Sequence, residues 1–519
     1  MITLKDIAVL EPLMLKWFRE CTPKVLVVTD SLNFNPSNDF GLTTFVNALR
    51  AAPIHGMTPI VRTALYTPGA ATASSLDTAT QHISNFKFTD AAQGVLKSRY
   101  DVVFLLAFNR EGSPGLAQES GAQAALVNFM QQGGGLFATG DHEDLGAAMC
   151  MTIPRVQAMR RWAAADTPSG GGTDRLTTSA AGANDVYEFA DQSDALAQRL
   201  YVNFRTSAGT GVAHPVLQVP GAVPARAIEI FPDHPHEGEC RVPTALATKL
   251  PDGVTDEWPP AIGSAIRVAP EALALTMSEG NAFPGKAAVV PRSFIAICAY
   301  DGQKANVGRV VTDATWHHFV NVNLIGDLPS PPPDRAGLTG RDFSDVKQYY
   351  SNLATWLMPK HVRRCLRYPL VIRELVRYPL FEELRLVPVE KLDGNALHEI
   401  GAKVEDALLR RHTRGTVAAM VDDALDELMD ARTRAKLDDF HGRYGRVSSR
   451  DTGLAALAAL TLATAATAVQ LQAQGDANDA LGVFDDAAKK ALRVGVQRYL
   501  GDAREGLREL DDVIGTVLR

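Results

Sequence analysis

A glycine-bounded turn carries the residues best suited to chemistry. The stretch from Gly133 to Gly146 reads GGGLFATGDHEDLG, an apolar strand that runs into a tight turn. α/β enzymes place a nucleophile at such a turn in the pattern G-x-Nuc-x-G, and here His142 takes that position between Asp141 and Glu143. The turn contains no Ser or Cys, so the pattern favours acid–base catalysis by these three residues. The alternative is a polar loop in which Asp141 only caps the next helix.

Two more histidine clusters follow apolar segments. In FPDHPHEGE, His234 and His236 are two residues apart and face the same side of an extended chain. In TDATWHH, only one of His317 and His318 should face a pocket, because adjacent side chains of a strand point opposite ways. The alternatives are a polar turn with exposed histidines for the first cluster, and one packed or capping histidine in the second.

Three histidine-bearing strand ends predict a divalent metal ion if they converge in one crevice. The candidate ligands are His142, His234, His236, His317 and His318. Imidazole with carboxylate suits zinc, manganese or iron, and such an ion would activate water and polarise a carbonyl. A metal-free alternative uses a histidine as general base beside Asp141 or Glu143.

Other polar residues at strand ends are candidates for substrate binding. Asp30 and Asn33 follow the first apolar run, Asn109 and Arg110 follow the run DVVFLLAF, and Trp316 precedes the paired histidines. For Asp30 and Asn33 a turn with an Asx cap is the alternative. Four more arginines are candidates for holding an anionic substrate, but solvated helix arginines are the default expectation for them: Arg155, Arg160, Arg161 and Arg175.

The elements that position these residues alternate between strand and helix. Apolar runs predict strands at 25–30, 59–63, 101–108, 135–139, 227–231, 293–300 and 309–312. Helical patterns lie at 40–52, with Asn38 or Asp39 as N-cap, and at 116–132. This alternation predicts an α/β fold with a doubly wound, flavodoxin-like parallel sheet, whose ligands bind at the carboxyl ends of the strands.

The second part of the chain is predicted to be a separate helical domain. Residues 1–328 form the α/β domain, a proline-rich linker spans 329–339, and helices fill 340–519. Within that helical domain, helices are expected at 404–434, 453–472 and 477–518. Residues 452–475 carry no charge and are long enough to cross a bilayer, but their composition favours a buried helix of a soluble bundle.

The motifs from the first strand to GRVVTDATWHH resemble the class I glutamine amidotransferase-like superfamily, and are closest to its ThuA-like branch. The resemblance covers residues 20–325 and implies a Gly-x-His turn, matched by His142, and a second histidine after the last strand, matched by His317 or His318. True amidotransferases have a Cys at this turn, so the resemblance does not imply a working glutaminase. It implies an association with sugar metabolism but fixes no reaction.

Net charge and cysteine content argue against nucleic-acid binding and for a reducing compartment. The formal net charge of −7 offers no basic surface for nucleic acid. Five scattered cysteines without a CxxC pair favour reduced thiols and a cytoplasmic location. The sequence therefore predicts a metal-dependent hydrolase or lyase acting on a small polar, sugar-like substrate. The alternative is a catalytically degenerate binding or assembly module, whose helical domain engages a protein partner or a second copy of the chain.

Overall fold

The computed structural model describes most of the chain, in segments separated by gaps of up to 34 residues. The described residues are 13, 16–66, 81–142, 144–162, 197–207, 210–222, 226–232, 238–278, 292–331, 335, 337–338, 340–377, 387–428, 431–474 and 479–517.

Fifteen strands are found in these segments. In chain order they are β1 (Lys24–Thr29), β2 (Ile60–Tyr66), β3 (His82–Phe86), β4 (Val102–Leu106), β5 (Gly135–Thr139), β6 (Ala197–Arg199), β7 (Tyr201–Val202), β8 (Arg205–Ser207), β9 (Thr210–Val212), β10 (Gln218–Val219), β11 (Arg226–Ala227), β12 (Ile230–Pro232), β13 (Glu271–Ser278), β14 (Arg292–Tyr300) and β15 (Val310–Asp313).

Nine of these strands form one central sheet in the order β3-β2-β1-β4-β5-β15-β14-β13-β7. The six strands from β3 to β15 are parallel, and the last three pair antiparallel. The predicted α/β fold with a mostly parallel sheet is confirmed. The flavodoxin-like order is not, because the parallel part follows the order 3-2-1-4-5-6 rather than 2-1-3-4-5.

Eleven helices accompany the described strands. They are α1 (Thr43–Ala51), α2 (Ala122–Gln131), α3 (Ala147–Cys150), α4 (Val156–Met159), α5 (Asn321–Ile325), α6 (Gly340–Leu357), α7 (Lys360–Arg377), α8 (Gly394–Leu409), α9 (Arg414–Leu428), α10 (Ala431–Gln474) and α11 (Ala480–Val517).

Hydrophobic cores cover both faces of the sheet. Alternate residues of each strand face opposite sides, so Val25 and Val27 of β1 join one core while Leu26 and Val28 join the other. Helices α1 and α6 pack in the first core, and helices α2, α3 and α4 pack in the second. Strand β4 is apolar throughout because both of its faces are buried.

Helix α6 belongs to the α/β unit, although the sequence placed it in the helical domain. Its residues Val346, Tyr349, Tyr350 and Leu353 are buried in the core that also contains strand β1 and helix α1. The bundle core begins further along, with Cys365 and Tyr368 of helix α7. Helix α7 therefore contributes to both cores, and the domain boundaries predicted from the sequence stay a prediction.

The remaining helices form a bundle with its own core. Residues Arg450–Gln474 of α10 are long and apolar enough to cross a membrane, but 83% of the apolar window is buried inside the protein. That burial supports the predicted core helix of a bundle. The predicted helix at 404–434 is instead interrupted, because α8 ends at Leu409 and α9 begins at Arg414.

A disulfide joins the segment before β1 to the bundle. The side chains of Cys21 and Cys365 are placed to form a disulfide, and their Cα atoms lie 5.9 Å apart, within the range that a disulfide requires. Reduced thiols stay a prediction for the chain, and this pair is where a disulfide is expected instead. The other three cysteines, Cys150, Cys240 and Cys298, are free and buried.

Several element predictions need correction. The segment at 227–231 forms parts of the short strands β11 and β12, which pair in two-stranded ladders outside the central sheet. Strands β3 and β13 were not predicted. Helix α1 has Leu42 as its N-cap, and the side chain of Asp39 instead accepts a hydrogen bond from the Leu328 amide at 2.9 Å.

Candidate active site

The turn after β5 places Asp141 and His142 at the carboxyl end of the parallel strands. The Asp141 amide donates to the Leu145 carbonyl at 3.0 Å, and the Leu145 amide donates back to the His142 carbonyl at 3.2 Å. Gly146 closes the turn at φ 94°, where a Cβ would lie 2.9 Å from the Cα of Gly140. Only glycine fits this conformation and this close approach. Gly146 is also the N-cap of α3, so Asp141 does not cap that helix.

The Asp141 carboxylate is buried and joins two histidines to a hydroxyl group. Its Oδ2 lies 2.8 Å from Nδ1 of His142 and 3.4 Å from Nε2 of His317. Its Oδ1 accepts a 2.6 Å hydrogen bond from the Thr315 hydroxyl. An ionised carboxylate only accepts hydrogen bonds, so Nδ1 of His142 carries the proton in this contact. Asp141 therefore fixes the orientation and the tautomer of His142, as the buried aspartate does in a catalytic triad.

His142 is the more accessible of the two histidines beside Asp141. Its side chain is 16% exposed, compared with 10% for His317 and 0% for Asp141. A substrate or water molecule can therefore reach the His142 ring, while the carboxylate behind it stays shielded from solvent.

A second Asp–His pair lies at the end of the neighbouring strand β15. Oδ2 of Asp313 lies 2.8 Å from Nε2 of His318 and accepts a 2.6 Å hydrogen bond from the hydroxyl of Tyr349 on α6. The Tyr350 hydroxyl donates to the His318 carbonyl. All four side chains are buried, and burial raises the pKa of Tyr349 well above its usual value, with the Asp313 charge raising it further. The Asp313–His318 pair is buried beside the Asp141–His142 contact and supports it structurally. Of the two adjacent histidines, His318 is therefore the packed one and His317 lies at the site.

Arg160 ties the two strand ends together. Its guanidinium is fully buried and donates to the main-chain oxygens of Asp141 at 2.6 Å, Asp313 at 3.0 Å and Ala314 at 2.7 Å. The guanidinium stacks 4.4 Å from the ring centre of Trp162. The prediction of a solvated helix arginine is therefore wrong for Arg160. Its guanidinium donates to main-chain oxygens that the ends of the strands leave without a partner.

Asp30 follows β1, at the point between β1 and β4 where the order of the parallel strands reverses. Its carboxylate accepts hydrogen bonds from the amides of Phe108 at 2.7 Å and Asn109 at 3.2 Å. Burial raises the pKa of Asp30 to about 6, against the lowering effect of these hydrogen bonds. Asp30 therefore holds the loop after β4 in place, at the position where such sheets bind ligands.

The other predicted substrate-binding residues serve structural contacts. The side-chain oxygen of Asn33 accepts from the Asn35 amide at 2.9 Å, which is the Asx turn considered as the alternative. The Asn109 carbonyl accepts from Gly146 and Ala148. Arg110 is half exposed and pairs with Asp144 at 2.6 Å. Asn109 and Arg110 thus brace the turn that carries His142.

Trp316 shapes the site through stacking. Its ring is parallel to the His317 ring, with centroids 4.6 Å apart and planes 20° apart. Phe108 packs against the same indole at 5.5 Å, and the half-exposed Phe40 packs at its edge at 5.7 Å. Trp316 is only 3% exposed, and its stacking on His317 keeps that ring beside Asp141.

Four candidate residues from the sequence, Glu143, Arg175, His234 and His236, lie outside the described residues. Within the described part of the chain, no group of three or more His, Cys, Asp or Glu residues is placed to hold a metal ion. The metal ion and these residues' roles therefore stay predictions.

Sequence reasoning missed Thr315, Asp313 as a histidine partner, and Tyr349. Thr315 and Asp313 lie in the motif TDATWHH, and their position just after a strand was the available signal. Tyr349 had no such signal, because it comes from a helix that the sequence assigned to another domain. Comparisons of the chain with family models, with curated proteins and with solved structures give no match.

Proposed function

We propose that the chain is a hydrolase or lyase that acts on a small polar molecule, such as a sugar derivative, at the carboxyl edge of β5 and β15. The observation that carries this proposal is the contact between the buried Asp141 carboxylate and the partly exposed His142 ring at 2.8 Å. Thr315 and His317 contact that carboxylate, and Arg160 holds the main-chain oxygen of Asp141.

In this proposal His142 is the general base. Its Nδ1 proton is directed to Asp141, so Nε2 carries the lone pair that accepts a proton. In hydrolysis Nε2 removes a proton from water while the water oxygen bonds to the electrophilic carbon of the substrate. The bond from that carbon to the leaving group then breaks, and the leaving group departs with the electron pair and takes the proton back from Nε2. In elimination Nε2 removes a proton from carbon, and the leaving group departs with the electrons of its own bond. Asp141 stabilises the resulting imidazolium without itself taking the proton.

If the enzyme is metal-dependent, the metal ion needs ligands in addition to Asp141, His142 and His317. The two forms are separated by elemental analysis of protein purified without a metal-affinity tag. Metal near one ion per chain that is lost in His142→Ala and in His317→Ala supports the metal-dependent form. Metal content that is negligible in the wild type after incubation with zinc, manganese or iron supports the metal-free base.

The test of catalysis compares the wild type with His142→Ala and Asp141→Asn on a fractionated extract of small polar metabolites, followed by mass spectrometry. The expected result is a substrate that the wild type consumes at least about 10²-fold faster than either variant. The matched control is His398→Ala, because His398 pairs with Asp451 at 3.2 Å in the helical bundle. Equal consumption by His142→Ala and the wild type would refute the role of His142.

A further inference from the structure

An exposed aromatic ring lies beside the candidate active site. The side chain of Phe40 is 46% exposed, although one edge of its ring packs against the buried Trp316 at 5.7 Å. Trp316 in turn stacks on the His317 ring at 4.6 Å, and Nε2 of His317 lies 3.4 Å from the Asp141 carboxylate. Two ring contacts therefore connect Phe40 to the histidine that touches Asp141.

Three successive asparagine turns hold the loop that carries Phe40. The side-chain oxygens of Asn33, Asn35 and Asn38 each accept the main-chain amide two residues further on, at 2.9 Å. The last of these amides belongs to Phe40 itself. Gly41 follows, where a Cβ would lie 2.3 Å from the Asn35 carbonyl oxygen. The main chain on both sides of Phe40 is therefore fixed.

Helix α5 anchors the same loop from its other side. The Asn321 side chain donates to the Asn38 carbonyl at 2.9 Å, and its main-chain amide donates to the Gly41 carbonyl at 2.9 Å. The Val322 amide donates to the Asp39 carbonyl at 2.9 Å. A ring on a loop held at this many points is preorganised, so a ligand that stacks on it does not have to order the loop first.

The position of Phe40 suits a substrate that also reaches His142. Phe40 lies in the loop after β1 and His142 lies in the turn after β5, and only β4 separates these two strands in the sheet. Both segments follow the carboxyl ends of parallel strands, where such sheets bind ligands. Two strand spacings amount to about 10 Å. One ring with its substituents can cover this span, with its face on Phe40 and its reacting group at His142.

We propose that Phe40 determines the specificity of this site, and that the substrate is a ring-shaped molecule whose flat face stacks on the Phe40 side chain. This inference rests on the proposed function. An aromatic face attracts the C–H face of a sugar ring or the face of another aromatic ring, whereas an open-chain polyol presents no flat surface to it. Because Phe40 carries neither an acid nor a base, it binds the substrate equally before and during the reaction. Its loss therefore raises KM and leaves kcat unchanged.

Saturation-transfer NMR measures this binding without any turnover. Methyl β-glucopyranoside and benzyl alcohol represent the two kinds of ring, and sorbitol is the matched open-chain polyol. The wild type should transfer saturation to the ring protons of at least one ring probe and not to sorbitol, and the probe that responds identifies the kind of ring. Phe40→Ala should bind that probe about tenfold more weakly, whereas Phe40→Trp keeps a flat face and should retain the binding.

The matched control is Phe204→Ala. It removes a ring that is 48% exposed and that follows β7, at the far edge of the sheet from β1, so the signal should equal that of the wild type. A wild type that transfers saturation to neither ring probe overturns the proposal. An equal signal from Phe40→Ala and the wild type overturns it as well.

Kinetics on the substrate that the wild type consumes separates this proposal from the proposed function. His142→Ala should abolish consumption, whereas Phe40→Ala should raise KM about tenfold and keep kcat within about twofold of the wild type. A fall in kcat with unchanged KM in Phe40→Ala would refute the specificity role and leave His142 as the base. Probe binding that depends on Phe40, in a protein that consumes no substrate, would refute the catalytic role and keep the ring-binding site.

Discussion

Asp30 should make the stability of the α/β unit fall as the pH rises. Burial moves the pKa of this carboxyl from 3.8 to about 6 in the folded protein, while in the unfolded chain it keeps its ordinary value. Between about pH 4 and pH 6 the folded protein therefore binds more protons than the unfolded chain. Stability decreases with rising pH where the folded state holds more protons. The shift of about two units corresponds to about 3 kcal/mol.

The Asp30→Asn variant isolates this effect. Asn can accept the amide of Phe108 but presents an amino group to the amide of Asn109, and this mismatch should cost about 1–3 kcal/mol at every pH. Because the variant does not titrate at this position, its stability relative to the wild type should improve by about 3 kcal/mol from pH 4 to pH 7.

Urea unfolding at half-unit steps of pH measures this difference directly. The free energy of unfolding is taken from the transition of each protein at each pH. The contributions of all other titrating groups cancel in the difference between the wild type and Asp30→Asn. Asp406→Asn, at a surface carboxylate of α8 that is 63% exposed, provides the control and should give a curve parallel to that of the wild type. Parallel curves for Asp30→Asn and the wild type between pH 4 and pH 7 would refute the reasoning.

Three further perturbations test the packing around the site. Tyr349→Phe removes the buried hydroxyl that donates to Asp313 at 2.6 Å, and urea unfolding should show a loss of about 1–3 kcal/mol; no loss would mean that the contact contributes nothing. Breaking the Cys21–Cys365 disulfide, which closes a loop of 344 residues, should cost about 2–5 kcal/mol. Peptide mapping without reductant should find the linked peptides, and two free thiols in air-oxidised protein would contradict the pairing. Gly238→Ala would place a Cβ 1.7 Å from a main-chain oxygen at the end of β15, so the melting temperature should fall sharply, and an unchanged value would show that this backbone can shift freely.

The sequence predicted those elements whose residues are apolar without interruption. The run GLFAT became β5 with the same bounds, because a strand buried on both faces needs no polar residue. Strand β3, with the sequence HISNF, was missed because two of its five residues are exposed and polar. Strand β13 was missed because its alternating burial is not matched by alternating polarity: Ala274 and Thr276 are buried, while Leu275 and Met277 are exposed although they are apolar.

The site was predictable only where its parts lie close together in sequence. Asp141 and His142 share one turn, so their contact could be expected from the motif alone. The pairing of Asp141 with Thr315 joins residues 174 positions apart, and a single sequence carries no trace of it. Arg160 was misread because an arginine beside a helix is usually solvated, whereas here three carbonyl oxygens at the strand ends require a buried donor.

The place of Phe18 has a consequence for how the chain folds during synthesis. Its ring packs 6.2 Å from the ring of Tyr368 and 5.6 Å from that of Phe484, in the core of the helical bundle. Phe484 leaves the ribosome about 25–90 s after Phe18 at usual rates of about 5–20 residues per second. The segment before β1 must therefore remain unpacked, with its apolar side chains exposed, while the ribosome synthesises the whole sheet. The sheet lies between this segment and its packing partners in the sequence. A nascent chain stalled before helix α11 should consequently bind chaperones through this segment, even after the sheet has folded.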